Sequence, residues 1–491
     1  MSKRQLCRAG AALLLAVAFA LVFYAFTTPL GPSIGSDNAI YMTMGTALAR
    51  GYAPYTEIFD HKGPLLFILQ AIPQIVSGGY STLALFVQQV IFLFACLLLA
   101  GGVARELHAP AWLVQILYLA LIGSMTGGGN LTEEYTNVFT FAGLLVVLRV
   151  FGQGLPRETK GLFARAGVLG AMAMLCFLTR ANNALVLCAM TLTLAICLLA
   201  RRRFACLARC AGGFAAGMAA VALPVAAWLA SRGALEASVY GSILHNLMYA
   251  QTDGVSRVQM LLHSGYGHAA ILMAALSCAG ALALFRRSPA LALSMVAGAA
   301  AAGLAAFVSH KYYDHYLILG APLAAMGAAA VLGRLSPKSR RIRMAPTATV
   351  LAVCLLWLGV KGAQTNAWRL SECEGLDAFT QDAQALYAQV PEDERDAFMA
   401  YRVEPKWYVA AEALPCMRFY FLQEVLADAD PAVMDEIVET FENDPPKWLV
   451  IYYNREFGPP YDERVAEIFD TRYEFVDARG EYQLKRLREA L

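Results

Sequence analysis

The stretch Gly35–Leu66, GSDNAIYMTMGTALARGYAPYTEIFDHKGPLL, decides how the chain is read. It gathers Asp37, Glu57, Asp60, His61 and Lys62 into a polar interval directly after an apolar run at residues 8–30. Ionisable groups beside a bilayer are costly to place, so a cluster at this depth marks a functional site. A second apolar run, Leu65–Ser77, follows at once; it contains Pro73 and is too short to cross hydrocarbon about 30 Å thick, so it reads as re-entrant or interfacial.

Working outward, 58% of the 491 residues are apolar and 15% are charged, the composition of a chain that lives in a bilayer. Runs of crossing length recur at 8–30, 82–104, 110–126, 136–153, 164–179, 181–200, 209–230, 267–285, 289–308, 315–333 and 345–362. The expected fold is a polytopic α-helical membrane protein of about eleven transmembrane helices with a C-terminal extracytoplasmic α/β domain. The basic start and apolar run at the N-terminus are those of a secretory signal, but no small-residue cleavage pattern closes the run. It is read as an uncleaved first span.

Lys and Arg set the expected orientation, because loops that stay cytoplasmic carry the positive excess. With the N-terminus cytoplasmic, nineteen basic residues of the first 361 fall inside and seven outside. Of the ten acids in that part, only Glu106 and Glu158 fall inside, whereas Asp37, Glu57, Asp60, Glu133, Glu134, Glu236, Asp253 and Asp314 fall outside. An outward-facing active site accounts for that asymmetry, and a solvated outer rim is the plainer cause. The expected location is the plasma membrane.

After Lys361 the composition changes: residues 362–491 hold 27 acidic and 13 basic residues. The domain boundary is therefore placed between a membrane domain at 1–362, with a catalytic outer loop at 31–81, and a soluble α/β domain at 363–491. Helical patterns cover Asp377–Val390 and Pro431–Phe441, and β-rich stretches cover Lys447–Tyr453, Tyr473–Asp477 and Tyr482–Leu487. The acidic balance argues against nucleic acid as a partner. Of eleven cysteines only Cys373 and Cys416 lie in this part, and they are a candidate disulfide. No CxxC or zinc-ligand spacing is present.

Four outer segments carry the chemistry-bearing residues. Asp37 stands where the first span meets a short amphipathic helix expected over Ala39–Arg50; it can accept a proton from a hydroxyl, or simply cap the helix. Asp60-His61-Lys62 leads into the interfacial run, where an ammonium can hold a lipid phosphate and His61 with Asp60 can bind a metal or carry a proton. Snorkelling of Lys62 is the plainer reading. Asn130-Leu131-Thr132-Glu133-Glu134-Tyr135 brings two acids into a helix start, which the dipole alone would favour. Ser309-His310-Lys311-Tyr312-Tyr313-Asp314-His315-Tyr316 offers His310, Lys311, Asp314, His315 and Tyr316 for a sugar or a phosphate, with an interfacial aromatic belt as the alternative. Arg180 and His245 are candidates on the same face, Arg180 with Lys311 as further phosphate ligands.

At these residues the chain resembles membrane glycosyltransferases of the C-type fold, especially bacterial relatives of dolichyl-phosphate-mannose protein mannosyltransferases. The resemblance rests on Asp37 after the first span, Gly51-Tyr52-Ala53-Pro54-Tyr55, Lys62-Gly63-Pro64-Leu65, Thr132-Glu133-Glu134 and His315-Tyr316. It implies transfer of a sugar from a polyprenyl-phosphate carrier to an extracytoplasmic acceptor, an envelope glycan, lipid or protein. By that analogy Asp37 is the base that activates the acceptor hydroxyl, and Lys62 binds the departing carrier phosphate. Some relatives place an acid immediately before the lysine, where this chain has His61, so use of a divalent metal ion stays open. The rival classes are a polymerase or ligase using diphosphate-linked donors, and a lipid or sugar transporter.

Overall fold

The computed structural model describes residues 2–249, 255–308, 310–334, 340–452 and 462–488, with Tyr249 and residues 340–346 described by backbone alone. Asp253, Ser309 and Tyr453, which entered the sequence reading, lie outside the described residues. Ten helices among those described are long and apolar enough to cross a bilayer, the pattern of a multi-pass membrane protein. They match the expected runs with one difference. The run at 110–126 is helical only over Ala111–Ile122, between Pro110 and Gly123, twelve residues that rise about 18 Å.

The chain divides into two compact units. The first comprises Met1–Leu30, Phe86–Ala227 and Asp253–Trp368; the second comprises Gly31–Leu85, Trp228–Thr252 and Arg369–Leu491. The polar interval after the first span thus groups with the C-terminal segment, whereas a division at 362/363 would keep it with the membrane helices.

The first unit is a helical bundle, since a chain in hydrocarbon must satisfy its backbone polar groups within each segment. Small residues bring its helices close: a Cβ on Gly280 of the Tyr266–Phe285 helix would overlap the backbone of Gly327 in the Ala321–Arg334 helix. Tyr118, Phe141, Leu187, Met190, Met295 and Leu323 are fully buried in its core.

In the second unit, Ser36–Ala49 forms a helix whose N-cap is Gly35. The expected amphipathic character is absent, because every residue from Asn38 to Ala47 is buried. The cause is cover on more than one side. The Pro64–Ser77 helix packs so tightly that a Cβ on Gly45 would lie 2.5 Å from the Gln70 carbonyl, and Tyr420 donates its hydroxyl proton to Ile40 O at 3.1 Å. Pro64 starts the second helix at a position that needs no donor, and Gly78 ends it in the left-handed region at φ +78. Its 14 residues span about 21 Å, short of a crossing.

The C-terminal segment folds as an α/β layer on a four-stranded sheet of order β1-β2-β4-β3, with β1 Phe398–Tyr401, β2 Trp448–Tyr452, β3 Tyr473–Arg479 and β4 Tyr482–Leu487. β1 pairs parallel with β2, Phe398 opposite Trp448, and needs the crossover that contains the Ala432–Asn443 helix. The other pairs are antiparallel. β1 is the strand the sequence reading lacked: it is only four residues long and fully buried, with no polar alternation.

The expected disulfide is not formed. Cys373 and Cys416 are both free thiols. Cys373 ends a long helix with Sγ 3.8 Å from the carbonyls of Gly31 and Pro32. Cys416 instead lies beside β1, its N–H bonded to Phe398 O at 2.9 Å, and burial pushes its thiol up to about 12.

Candidate functional site

The expected site residues form two clusters, one in each unit. In the second unit, Asp60, His61 and Lys62 make a relay at the N-terminal end of the Pro64–Ser77 helix. Lys62 Nζ lies 2.8 Å from His61 Nε2, and His61 Nδ1 lies 3.2 Å from Asp60 Oδ1. An ammonium has only donors, so Nε2 must accept and the ring proton must sit on Nδ1, facing the carboxylate. Lys62 Nζ is also 3.8 Å from Asp60 Oδ1 and 5.7 Å from the centre of the Tyr41 ring. Asp60 and Lys62 are both buried, which rules out an ammonium that merely snorkels to water.

The loop that carries the relay is held from several parts of the unit. Tyr55, at φ +69, donates its hydroxyl proton to Lys62 O at 2.7 Å. Asn246 Nδ2 donates to His61 O at 2.6 Å, and Phe59 N–H to Arg418 O at 2.9 Å. Arg418 returns a bond from Nε to Tyr55 O at 2.7 Å, pairs with Glu436 at 2.8 Å and lies over the Phe59 ring at 5.3 Å. Tyr55 and Phe59 lie within the Gly35–Leu66 stretch, whereas Asn246, Arg418 and Glu436 come from distant parts of the chain. A signal for Arg418 exists in hindsight: it is a lone cation inside the apolar run Leu414–Phe421.

His245 completes this cluster. It is fully buried, its ring centre 6.0 Å from that of His61 and 5.6 Å from that of Phe59, and neither ring nitrogen has a hydrogen-bond partner among the described residues. Burial pulls its pKa down; Asp430 opposes that shift and Lys62 reinforces it. The preceding turn, Tyr240–Leu244, is a π-helix, a local widening that aims the following side chain. Tyr240 donates a hydrogen bond to Asp430 Oδ2, and burial, then that carboxylate, push the phenol up so that it stays protonated.

Asp37 lies in the first turn of the Ser36–Ala49 helix, one residue beyond the first helical position, so Gly35 and not Asp37 is the cap. Its half-buried carboxylate has no hydrogen bond or ion pair among the described residues. Tyr41, beneath the Lys62 ammonium, follows Asp37 by one helical turn, which puts both side chains on one face.

In the first unit, Glu133 and Glu134 separate in role. Buried Glu133 pairs with Arg180 Nη1 at 3.1 Å, and Arg180 Nη2 donates to the Tyr316 hydroxyl at 2.7 Å while its guanidinium lies 4.3 Å from that ring centre. Glu134 accepts from Leu131 N–H at 3.1 Å and closes the helix start, the capping role. Asn130 is buried at φ +62 and accepts from the Tyr135 hydroxyl at 2.7 Å. His315 stands edge-on to Tyr316 at 4.7 Å and stacks on Tyr313 at 5.6 Å. His310, at φ +54, turns its Nδ1 to Val255 O at 3.1 Å. Lys311 is half-buried and Asp314 exposed.

A divalent ion does not fit the relay. Both nitrogens of His61 face other groups, one of them an ammonium that would repel a cation at 2.8 Å. Among the described residues no group of three His, Cys, Asp or Glu is arranged to hold a metal.

The architecture is the C-type glycosyltransferase fold of polytopic membrane enzymes. Three solved structures share it. ArnT from Cupriavidus metallidurans, bound to undecaprenyl phosphate, is 14% identical with a TM-score of 0.60, covering 96% of this chain and 97% of its own. The oligosaccharyltransferase of Archaeoglobus fulgidus, in complex with Zn and sulfate, is 12% identical with a TM-score of 0.52, covering 90% of this chain and 67% of its own. The Archaeoglobus fulgidus oligosaccharyltransferase AglB, in complex with an inhibitory peptide and a dolichol-phosphate, is 11% identical with a TM-score of 0.50, covering 92% and 70%. No protein-family model and no curated protein sequence matches the chain.

Proposed function

We propose that the protein is an integral-membrane glycosyltransferase that moves a sugar from a polyprenyl-phosphate carrier to an extracytoplasmic acceptor. The observation that carries the reading is the Lys62 ammonium, buried and held by His61 at the start of a short apolar helix. A fixed cation there suits an anionic group attached to lipid. The likeness to a protein solved with undecaprenyl phosphate supports that carrier.

In this reading the acceptor oxygen attacks the anomeric carbon, the bond from that carbon to the phosphate oxygen breaks, and the configuration inverts. Asp37, an uncommitted carboxylate, takes the acceptor proton. Lys62 stabilises the charge that develops on the departing phosphate, and the Asp60–His61 pair holds the ammonium in place before the reaction. The positive-inside count puts the N-terminus in the cytoplasm and, with Ala111–Ile122 taken as a crossing, Asp37, Lys62 and the C-terminal segment outside. Nucleotide sugars are not supplied there, so a lipid-borne donor is required.

The test is sugar transfer in proteoliposomes from a panel of polyprenyl-monophosphate sugars, read by mass spectrometry, for wild type beside Asp37→Asn. Transfer or donor hydrolysis by wild type alone supports both the reaction and its base. Turnover of diphosphate-linked donors only would replace this reading with that of a polymerase or ligase.

A further inference from the structure

The second unit contains a cavity of about 920 Å³ that the transfer reading does not use. That lies near the upper end of the roughly 300–1,000 Å³ usual for small-molecule sites. One wall is Arg50 and Tyr52, at the end of the Ser36–Ala49 helix and in the turn after it. Facing residues are Tyr387, Arg395, Asp396 and Glu412 from the C-terminal segment.

These side chains line one hollow with both signs of charge. Among the described residues the side chains of Arg50, Asp396 and Glu412 have no hydrogen bond or ion pair, so opposite charges face a common space without closing across it. Two guanidiniums meet three carboxylates once Glu392, which pairs with Arg395 at 3.9 Å, is included, a net negative lining that gives an anionic ligand no advantage. Tyr387 is held as a plate by the Arg395 guanidinium, 5.1 Å from its ring centre. Tyr52 is a second half-buried ring, its phenol pushed up by burial and then by Asp396. Glu412, at the cavity edge, has φ +53, where glycine would cost less.

We propose that this cavity binds a neutral saccharide chain. A sugar presents an apolar ring face and a rim of hydroxyls that both donate and accept. The tyrosines match the face; Arg50, Asp396 and Glu412 match the rim, each charge taking hydroxyl partners that pay for its desolvation. The site needs no lipid-linked donor and is separate in residues from the Asp60–His61–Lys62 relay.

The test uses full-length protein in detergent with mannotetraose, cellotetraose and chitotetraose as probes and tetragalacturonate as the anionic comparison, read by saturation-transfer NMR and titration. At least one neutral probe should bind, and the double variant Arg50→Ala/Asp396→Ala should weaken it about tenfold or more at an unchanged unfolding midpoint. Glu412→Gln, which leaves the left-handed backbone occupied by a similar side chain, should weaken it in the same direction. Lys62→Ala should bind the probe as wild type does, whether or not transfer is ever detected. Absence of binding by all three neutral probes, stronger binding of tetragalacturonate, or wild-type affinity in the double variant would overturn the proposal.

Discussion

Lys62 Nζ donates a hydrogen bond to His61 Nε2 across 2.8 Å, and that single bond fixes the tautomer of the ring and its polarity toward Asp60. The ammonium is held by its neighbour rather than neutralised by it. Lys62→Ala should lower transfer by about 10²–10³-fold, the usual cost of losing one preorganised electrostatic partner. His61→Ala should act through Lys62 and cost less, whereas His61→Gln, which keeps an acceptor, should restore part of the loss. Initial rates for the three variants, at saturating and limiting donor, check the order.

Gly45 lies against the Gln70 carbonyl with no room for a side chain. Gly45→Val should destabilise the second unit by about 1–3 kcal/mol, because both partners are helix backbone and neither can yield cheaply. Gly51→Ala, where nothing lies within 4 Å but φ is +96, should cost less and through backbone strain alone. Thermal unfolding of the two variants in detergent distinguishes crowding from strain.

Glu133 and Arg180 are buried together. Glu133→Gln leaves the guanidinium uncompensated and should cost about 3–5 kcal/mol, well above the effect of Glu134→Gln at the helix start. Replacing both as Glu133→Gln/Arg180→Met should recover stability relative to Glu133→Gln alone. A double-mutant cycle on unfolding midpoints measures the coupling.

His245 is buried neutral, so its folded pKa lies below the unfolded value near 6.5. Between the two values the unfolded chain binds more protons, and stability therefore falls as the pH drops below about 6.5 and levels off below the folded pKa. His245→Phe should remove this contribution. Unfolding midpoints from pH 7.5 to 5 should fall more steeply for wild type than for the variant; parallel curves would contradict it.

Much of the architecture is legible without coordinates. Apolar runs long enough to cross appear as helices such as Thr82–Glu106 and Pro289–Phe307, because hydrocarbon leaves a backbone no alternative to internal hydrogen bonds. The short run at 110–126 and the four-residue strand Phe398–Tyr401 carry a weaker sequence signal. Length and periodicity signals fade in elements that are brief and buried on all sides. The helix Ser36–Ala49 was legible as a helix but not as a buried one, since its cover comes from Gln70 and Tyr420, distant in sequence.

The same division holds at the site. The chain alone determined that Asp37 and Asp60-His61-Lys62 stand in a polar interval between apolar runs, because charge and hydropathy are properties of residue order. Only the tertiary structure decided that Glu133 belongs to Arg180 while Glu134 belongs to the backbone, and that Cys373 and Cys416 stay apart as thiols. It alone placed Arg418, Asn246 and His245 around the relay. Hydrogen bonds and ion pairs act over about 3–4 Å, and folding brings residues from separate parts of the chain within that range in ways that residue order does not encode locally.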